Sequence, residues 1–484
     1  MKLKFLPILL FGLLATMSIM TSCLDDDIEQ ITYSSETSIT SFSLGTLHVW
    51  RTGKDSKGED STYTDTISMA NYPFTIDQIN RKIENKDSLP VGTDISRVIT
   101  SISADTPYIL YGKISAKGEE AKDTTWVSTD SLDFSVAPEE GLTFKVMAYS
   151  GLIGKPYYVK INVHTQEPDS LQWSDEPMGT AFASGPLVRQ KAVYAHERIY
   201  VFGNTLQGKP VAEYAYIVNG TPGSWHVVEL PENTDTYSAT ACEGDVFFTA
   251  GHTLYRLKEN GDKIYDNSAD FSQIVAGADK YLYVRNSDGK FYLYDTQNFT
   301  LTLEESIERF PEGGKRLTAV NVSAHHNDEL TRTILMGYNT LATDTTGFVA
   351  TRLTNDKVWS TYHYEKMDTF QCPNIVDPTM IYYDKKIYLF GGEITNKDYE
   401  TYKSPFSSFF CSIDNGLTWE AVTEEVTFAT KGTSFADLYQ SGKSKGEASY
   451  SCVVDQNNFI WIIWNDGYMS RGRINRFGFL PKWD

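Results

Sequence analysis

Between residues 168 and 484 the apolar positions fall into paired runs divided by a polar turn. Val193-Tyr194-Ala195, then His196-Glu197, then Arg198-Ile199-Tyr200-Val201-Phe202-Gly203 is one such cassette. Others run Ala241 to Gly251, Ala278 to Val284, Asn327 to Gly337, Ile381 to Gly392 and Val453 to Trp464. The second run of each is nearly continuous in apolar residues, which predicts strands covered on both faces. The turn between the runs reaches water, and glycine at a strand end permits a bend that a side chain would block. Six cassettes at this spacing predict a ring of about six four-stranded blades, an all-β propeller.

A second mark follows several cassettes: a polar turn and then a tryptophan. It occurs as Asn219-Gly220 before Trp225, Asn355-Asp356-Lys357 before Trp359, and Asp414-Asn415-Gly416 before Trp419. Asp169-Ser170-Leu171-Gln172-Trp173 has the same look but precedes the first cassette. An open ring would leave an unpaired strand edge, so this segment is expected to pair with the last blade, beside Gly467 to Phe477. Ser412, Asp414, Gly416, Thr418 and Trp419 together resemble the Asp-box of propeller blades, in which the Ser and Asp oxygens bind N–H groups of the turn. Phe390-Gly391-Gly392 resembles a kelch strand. Both resemblances imply a structural motif, not an activity.

Residues 30–166 carry strand runs without a helical period. In Tyr157 to His164, Tyr157, Val159, Ile161 and Val163 face one way and Tyr158, Lys160, Asn162 and His164 the other. Runs at Ser38 to Trp50, Tyr108 to Ile114, Leu132 to Val136 and Leu142 to Ala148 are separated by turn signals. This predicts an antiparallel sandwich of immunoglobulin-like type, with Phe42, Trp50 and Trp126 in its core. Its expected role is that of a spacer; a binding module is the other reading.

The start of the chain is read as an address. Lys2 and Lys4, an apolar stretch from Phe5 to Leu14 and a small-residue segment make residues 1–22 a signal peptide. Cys23 follows at once and resembles a lipobox cysteine. Residues 23–29 form an acidic tether with Asp25-Asp26-Asp27, similar to the surface-export signal of lipoproteins in the Bacteroidota. The resemblance implies lipidation at Cys23 and an outer-membrane lipoprotein exposed at the surface. Six Asp-Ser/Thr motifs, among them Asp65-Thr66-Ile67, Asp123-Thr124-Thr125 and Asp344-Thr345-Thr346, resemble the O-glycosylation sites of such proteins.

Composition narrows the function. A formal net charge of −20 repels phosphate backbones, so no nucleic-acid partner is expected. Cys242, Cys372, Cys411 and Cys452 make no C-x-x-C pair; buried free thiols are the default, and one bridge of unassigned partners stays open. No cofactor or metal is expected. His325-His326 lacks the i, i+4 spacing of a helical zinc site and reads as a turn. A sialidase would need an arginine triad, and Arg189 stands near the first strand without the Arg-Ile-Pro motif.

The whole chain resembles Bacteroidota surface lipoproteins that pair an Ig-like domain with a kelch-like/Asp-box propeller. The expected function is non-catalytic binding of a glycan or protein ligand on the propeller's central face. The alternatives are a polysaccharide-acting glycosidase or lyase and a purely structural envelope protein. Binding residues are sought just past the second strands, beside the central channel. Arg285, Glu393 and Asp466 lead, with His252 and Asn286 behind them; Asn204, Asn339 and Asn465 occupy equivalent positions. No catalytic residue is assigned.

Overall fold

The computed structural model describes residues 32–54, 57, 59–114, 122–311, 315–324, 327–340, 346–364, 370–444 and 449–479. The signal peptide, Cys23 with its acidic tether, His325-His326 and Asp344-Thr345 lie outside these residues. The chain divides into two compact units at Glu167/Pro168.

In the first unit two sheets enclose one core. Ile39–Leu44, Val98–Ala104 and Ser131–Leu132 form a three-stranded sheet. The six-stranded sheet runs in the order Phe74–Asp77, Lys82–Asn85, Tyr157–Lys160, Leu142–Val146, Ile109–Lys113, Lys122–Thr125. Alternation puts Phe42 and Leu44 from one sheet against Ile83, Phe144, Tyr157 and Val159 from the other. Two details differ from expectation. Lys82–Asn85 and Tyr157–Lys160 pair in parallel, so the sandwich is not purely antiparallel. The run from Ser38 to Trp50 breaks at Gly45, and its second half joins a two-stranded ribbon, Thr46–Lys54 with Asp60–Ser68. Trp50 rides on that ribbon at 55% exposure and is not a core residue. Phe42 is buried, and half-buried Trp126 donates Nε1–H to Thr100 Oγ1 at 2.9 Å.

Among the described residues the second unit contains six sheets of four strands, with one extra short strand in the first. Their innermost strands are Leu187–Ala195, Thr234–Cys242, Gln273–Ala278, Leu317–Ala324, Thr379–Tyr383 and Tyr450–Val454, for blades 1 to 6. The second strands are the apolar runs of the cassettes: Asp245–Ala250 and Ile460–Trp464 are buried throughout. Six separate apolar clusters fill six blade interfaces, and the ring closes between blades 6 and 1, where Trp461 and Ile463 meet Leu187, Ile199 and Val201. Leu171–Trp173 is the outer strand of blade 6, as the turn-tryptophan pattern implied; Gln172 faces Arg473 and Trp173 faces Gly472. Glycine at 472 is required by contact, since a Cβ there would stand 2.7 Å from the Trp173 ring.

The Asp-box turn is built as its residues specify. Ser412 Oγ donates to Asp414 Oδ1, and Gly416 N–H donates to Ser412 Oγ, both at 2.9 Å. Thr418 N–H and Oγ1 donate to the two Asp414 oxygens at 2.9 and 2.6 Å. Asn415 and Gly416 hold φ of 62° and 85°, the left-handed region that Asn and Gly tolerate. Trp419, fully buried, packs on Ile334, Met336 and Val349 of blade 4. The one α-helix among the described residues, Phe435–Ser444, had no counterpart in the strand reading. It leads into blade 6 and buries Phe435 and Tyr439, one turn apart, among Phe406, Tyr450 and Trp464.

Candidate functional site: the central channel

Six strands converging on one axis leave room only for small side chains near it. Ala192, Ala239, Ala241, Ala276, Gly277 and Ala319 supply them. What remains is a cavity of ≈ 330 Å³ bordered by all six innermost strands. Its lining is exposed at Ala241, Asn321 and Tyr382, toward the C-terminal ends of these strands. The charge of the lining lies away from that end, at Lys191 and Arg316.

The innermost strands of blades 1 and 2 both bulge near their starts, between Val188 and Lys191 and between Asp235 and Thr240. A bulge re-aims the side chains around it. Lys191 Nζ donates to the Tyr237 carbonyl at 2.9 Å. Arg189, at φ 51°, stacks over the Tyr237 ring at 4.3 Å. Burial pushes the Lys191 ammonium down to about 8; nearby Asp235 opposes that shift and Arg316 adds to it. Burial likewise raises the Asp235 carboxyl, against the pull of the Tyr237 N–H, Arg189 and Lys191.

Arg316 enters from blade 4 and is 6% exposed. Its Nη1 donates to the carbonyls of Tyr450 (2.6 Å) and Gln190 (3.4 Å). Its Nη2 donates to the carbonyls of Asp377 (2.6 Å) and Pro378 (3.1 Å) and to Thr379 Oγ1 (2.9 Å). The guanidinium lies 4.6 Å from the centre of the Tyr450 ring. One side chain thus ties blade 4 to blades 5, 6 and 1 across the axis. Among the described residues Lys191 and Arg316 are the charged members of the cavity lining, and no carboxylate or histidine joins them there.

None of Arg285, Glu393, Asp466, His252 and Asn286 lines this cavity. Arg285 ends the second strand of blade 3 and the other four sit just past second strands, at the rim where the innermost strands begin. Two of them, His252 and Asn286, stand in adjoining loops of blades 2 and 3. His252 Nδ1 lies 2.7 Å from Asp270 Oδ1, Asp270 Oδ2 accepts the Ser287 N–H at 2.9 Å, and Asn286 Oδ1 accepts the Lys290 N–H at 2.8 Å. Arg285 packs over Phe291 and Phe310. Glu393 accepts from Gln440 Nε2 at 3.4 Å and Asp466 from the Tyr468 N–H at 3.2 Å. Asn204 accepts from Thr236 Oγ1 at 3.0 Å. These contacts cap strand ends and join neighbouring loops.

A wider cleft of ≈ 850 Å³ lies between blades 1 and 2 and is lined by His196, Arg198, Asp245 and Lys258, among others. Its charges are largely spent on one another: Asp245 meets His196 at 3.1 Å, Arg256 at 2.6 Å and Lys258 at 3.0 Å. The four later cysteines are free thiols, and burial raises Cys242 and Cys452 to about 12. Among the described residues no group of three or more His, Cys, Asp or Glu is placed to hold a metal ion, and no helix is long and apolar enough to cross a membrane.

Fold and channel define the class: an all-β protein with an N-terminal β domain and a six-bladed propeller. The chain belongs to the DUF6242 family. Residues 42–161 match its N-terminal domain and residues 167–482 its beta propeller domain. Among the curated proteins none matches the chain. Among solved structures it is similar to an auxiliary nutrient binding protein from Bacteroides ovatus ATCC 8483, at 9% identity over 81% of this chain and 95% of that one, TM-score 0.39. It is also similar to a Trichoderma reesei carbohydrate-active enzyme of family AA12, at 8% identity over 63% and 96%, TM-score 0.37. A third is the SapL1 lectin in complex with alpha methyl fucoside, at 11% identity over 57% and 88%, TM-score 0.33. At these values the likenesses carry no inference about ligand or reaction.

Proposed function

We propose that the chain is a non-catalytic binding protein, carried on the cell surface by a lipid on Cys23, whose propeller receives a glycan or protein segment in its central channel. One observation carries this reading: all six blades border a single cavity that is open at one end and floored by two cations. Glycoside hydrolysis typically needs two carboxylates flanking the scissile bond. The lining offers instead Asn321, the Tyr382 ring and donor groups, which suit holding a ligand. The address is supported by Lys2, Lys4, the apolar stretch and Cys23, and protease added to whole cells tests it, since a surface protein must be cleaved.

The test of binding is a glycan array probed with the full chain, with released sugar measured in parallel. Saturable binding without product is expected. Ala241→Trp, at an exposed position in the lining, should weaken that binding about tenfold or more by filling the mouth. The double variant Arg285→Ala/Asp466→Ala should leave it within about twofold. The reverse pattern would move the ligand to the opposite rim, and released sugar would make the protein an enzyme.

A further inference from the structure

We propose that Lys191 and Arg316 form an anion site at the channel floor, which takes a carboxylate, sulfate or phosphate group of the ligand that enters from the open end. The inference rests on the channel reading above and adds the chemistry of the group bound.

Three observations support it. First, the charge of the lining is one-sided: two cations and no carboxylate, in a chain whose formal net charge is −20. An acidic protein that keeps both signs apart at one enclosed place focuses a positive potential there. Second, the two cations are bound by neutral oxygens. Arg316 donates to four carbonyls and a threonine hydroxyl, and Lys191 to one carbonyl. Among the described residues neither forms an ion pair. An ammonium carries three donors, so Lys191 has hydrogen-bonding capacity left toward the cavity it lines. Third, no carboxylate among the described residues pairs directly with Lys191, and Asp235 acts on it only from further off. Asp235 reaches out to Arg189 at 3.8 Å, Tyr237 offers its carbonyl, and Arg316 repels. Burial lowers the affinity of Lys191 for its proton, and the pull of Asp235 makes up only part of that loss. An incoming anion would supply a direct counter-charge through charge-assisted hydrogen bonds. The cavity, ≈ 330 Å³, is near the lower end of the roughly 300–1,000 Å³ of small-molecule pockets, which suits one acidic sugar or the acidic end of a longer chain.

Calorimetric titration of the full chain near neutral pH with glucuronate, inorganic sulfate, inorganic phosphate and neutral glucose tests this. At least one acidic probe should bind and glucose should not. Binding by glucuronate points to a sugar acid; binding by sulfate or phosphate alone points to an esterified ligand or the free ion. Lys191→Met should weaken the acidic probe about tenfold or more while leaving the melting temperature unreduced; this variant carries the test because Arg316 also holds the ring. Failure of all three acidic probes, or equal binding by Lys191→Met, overturns the anion site. An array glycan excluded by Ala241→Trp but indifferent to Lys191→Met would sink the anion site and leave the channel reading standing.

Discussion

Arg316→Met is expected to destabilise the propeller by about 3–5 kcal/mol, read as a lower denaturant midpoint with an unchanged slope. The variant is close in length and apolar, so little packing is lost. What is lost is five donated hydrogen bonds to blades 5, 6 and 1. A hydrogen bond from a charged donor is worth about 1.5–3 kcal/mol, and a buried acceptor left unmade costs about 1–3. Burying a guanidinium is itself costly, which offsets part of the sum. Arg316→Lys keeps the charge but not the planar fork, so it should recover only part of the loss. A neutral or stabilising Arg316→Met would mean that those carbonyls are hydrated and that the ring closes without a central tie.

Trp419→Ala should cost a comparable amount, about 3–5 kcal/mol, the range for a large aromatic removed from a core. The side chain is fully buried and fills the seam between blades 4 and 5. Its Nε1–H also closes the Asp-box turn on the Gly416 carbonyl at 2.9 Å, and its loss would leave that acceptor the longer bond from the Tyr364 hydroxyl at 3.3 Å. Thermal unfolding by calorimetry measures the loss. Asp414→Ala should cost less, because Asp414 supports an exposed turn whose Ser412–Gly416 bond survives it. If the two variants were equally mild, Trp419 would not be holding the blades together.

The architecture was open to reading because each blade repeats one physical constraint. A second strand sandwiched by two neighbours must be apolar along its length, and runs such as Val246 to Ala250 and Ile460 to Trp464 show it without any alignment. The closing strand was legible for the same reason, since Trp173 sits where a fourth strand would place it. The channel floor was not legible. Lys191 and Arg316 look like ordinary charges at strand starts. Their partners are backbone groups far away in the chain, 126 residues for Gln190 and 134 for Tyr450, and carbonyls leave no residue-type signature. Polar residues at the ends of second strands were legible as a set, yet Asn286 and Asp466 serve to hold the turns that follow those strands, and Asn204 bonds Thr236 of the next blade. Trp50 misled because size suggests burial, while its place on a ribbon decides otherwise.

The most direct test of an accessible channel floored by a short-countered cation is the pH profile of Lys191 toward cyanate, a small amine reagent, followed by mass spectrometry. Only the neutral amine reacts. Lys191, with its ammonium pushed down to about 8, should therefore be modified at neutral pH about tenfold or more faster than an ordinary lysine in a short peptide. Its profile should turn over near 8, and an acidic probe bound in the channel should protect it. A Lys191 that stays unmodified at every pH, or one whose profile turns over only in the ordinary lysine range, would contradict the account.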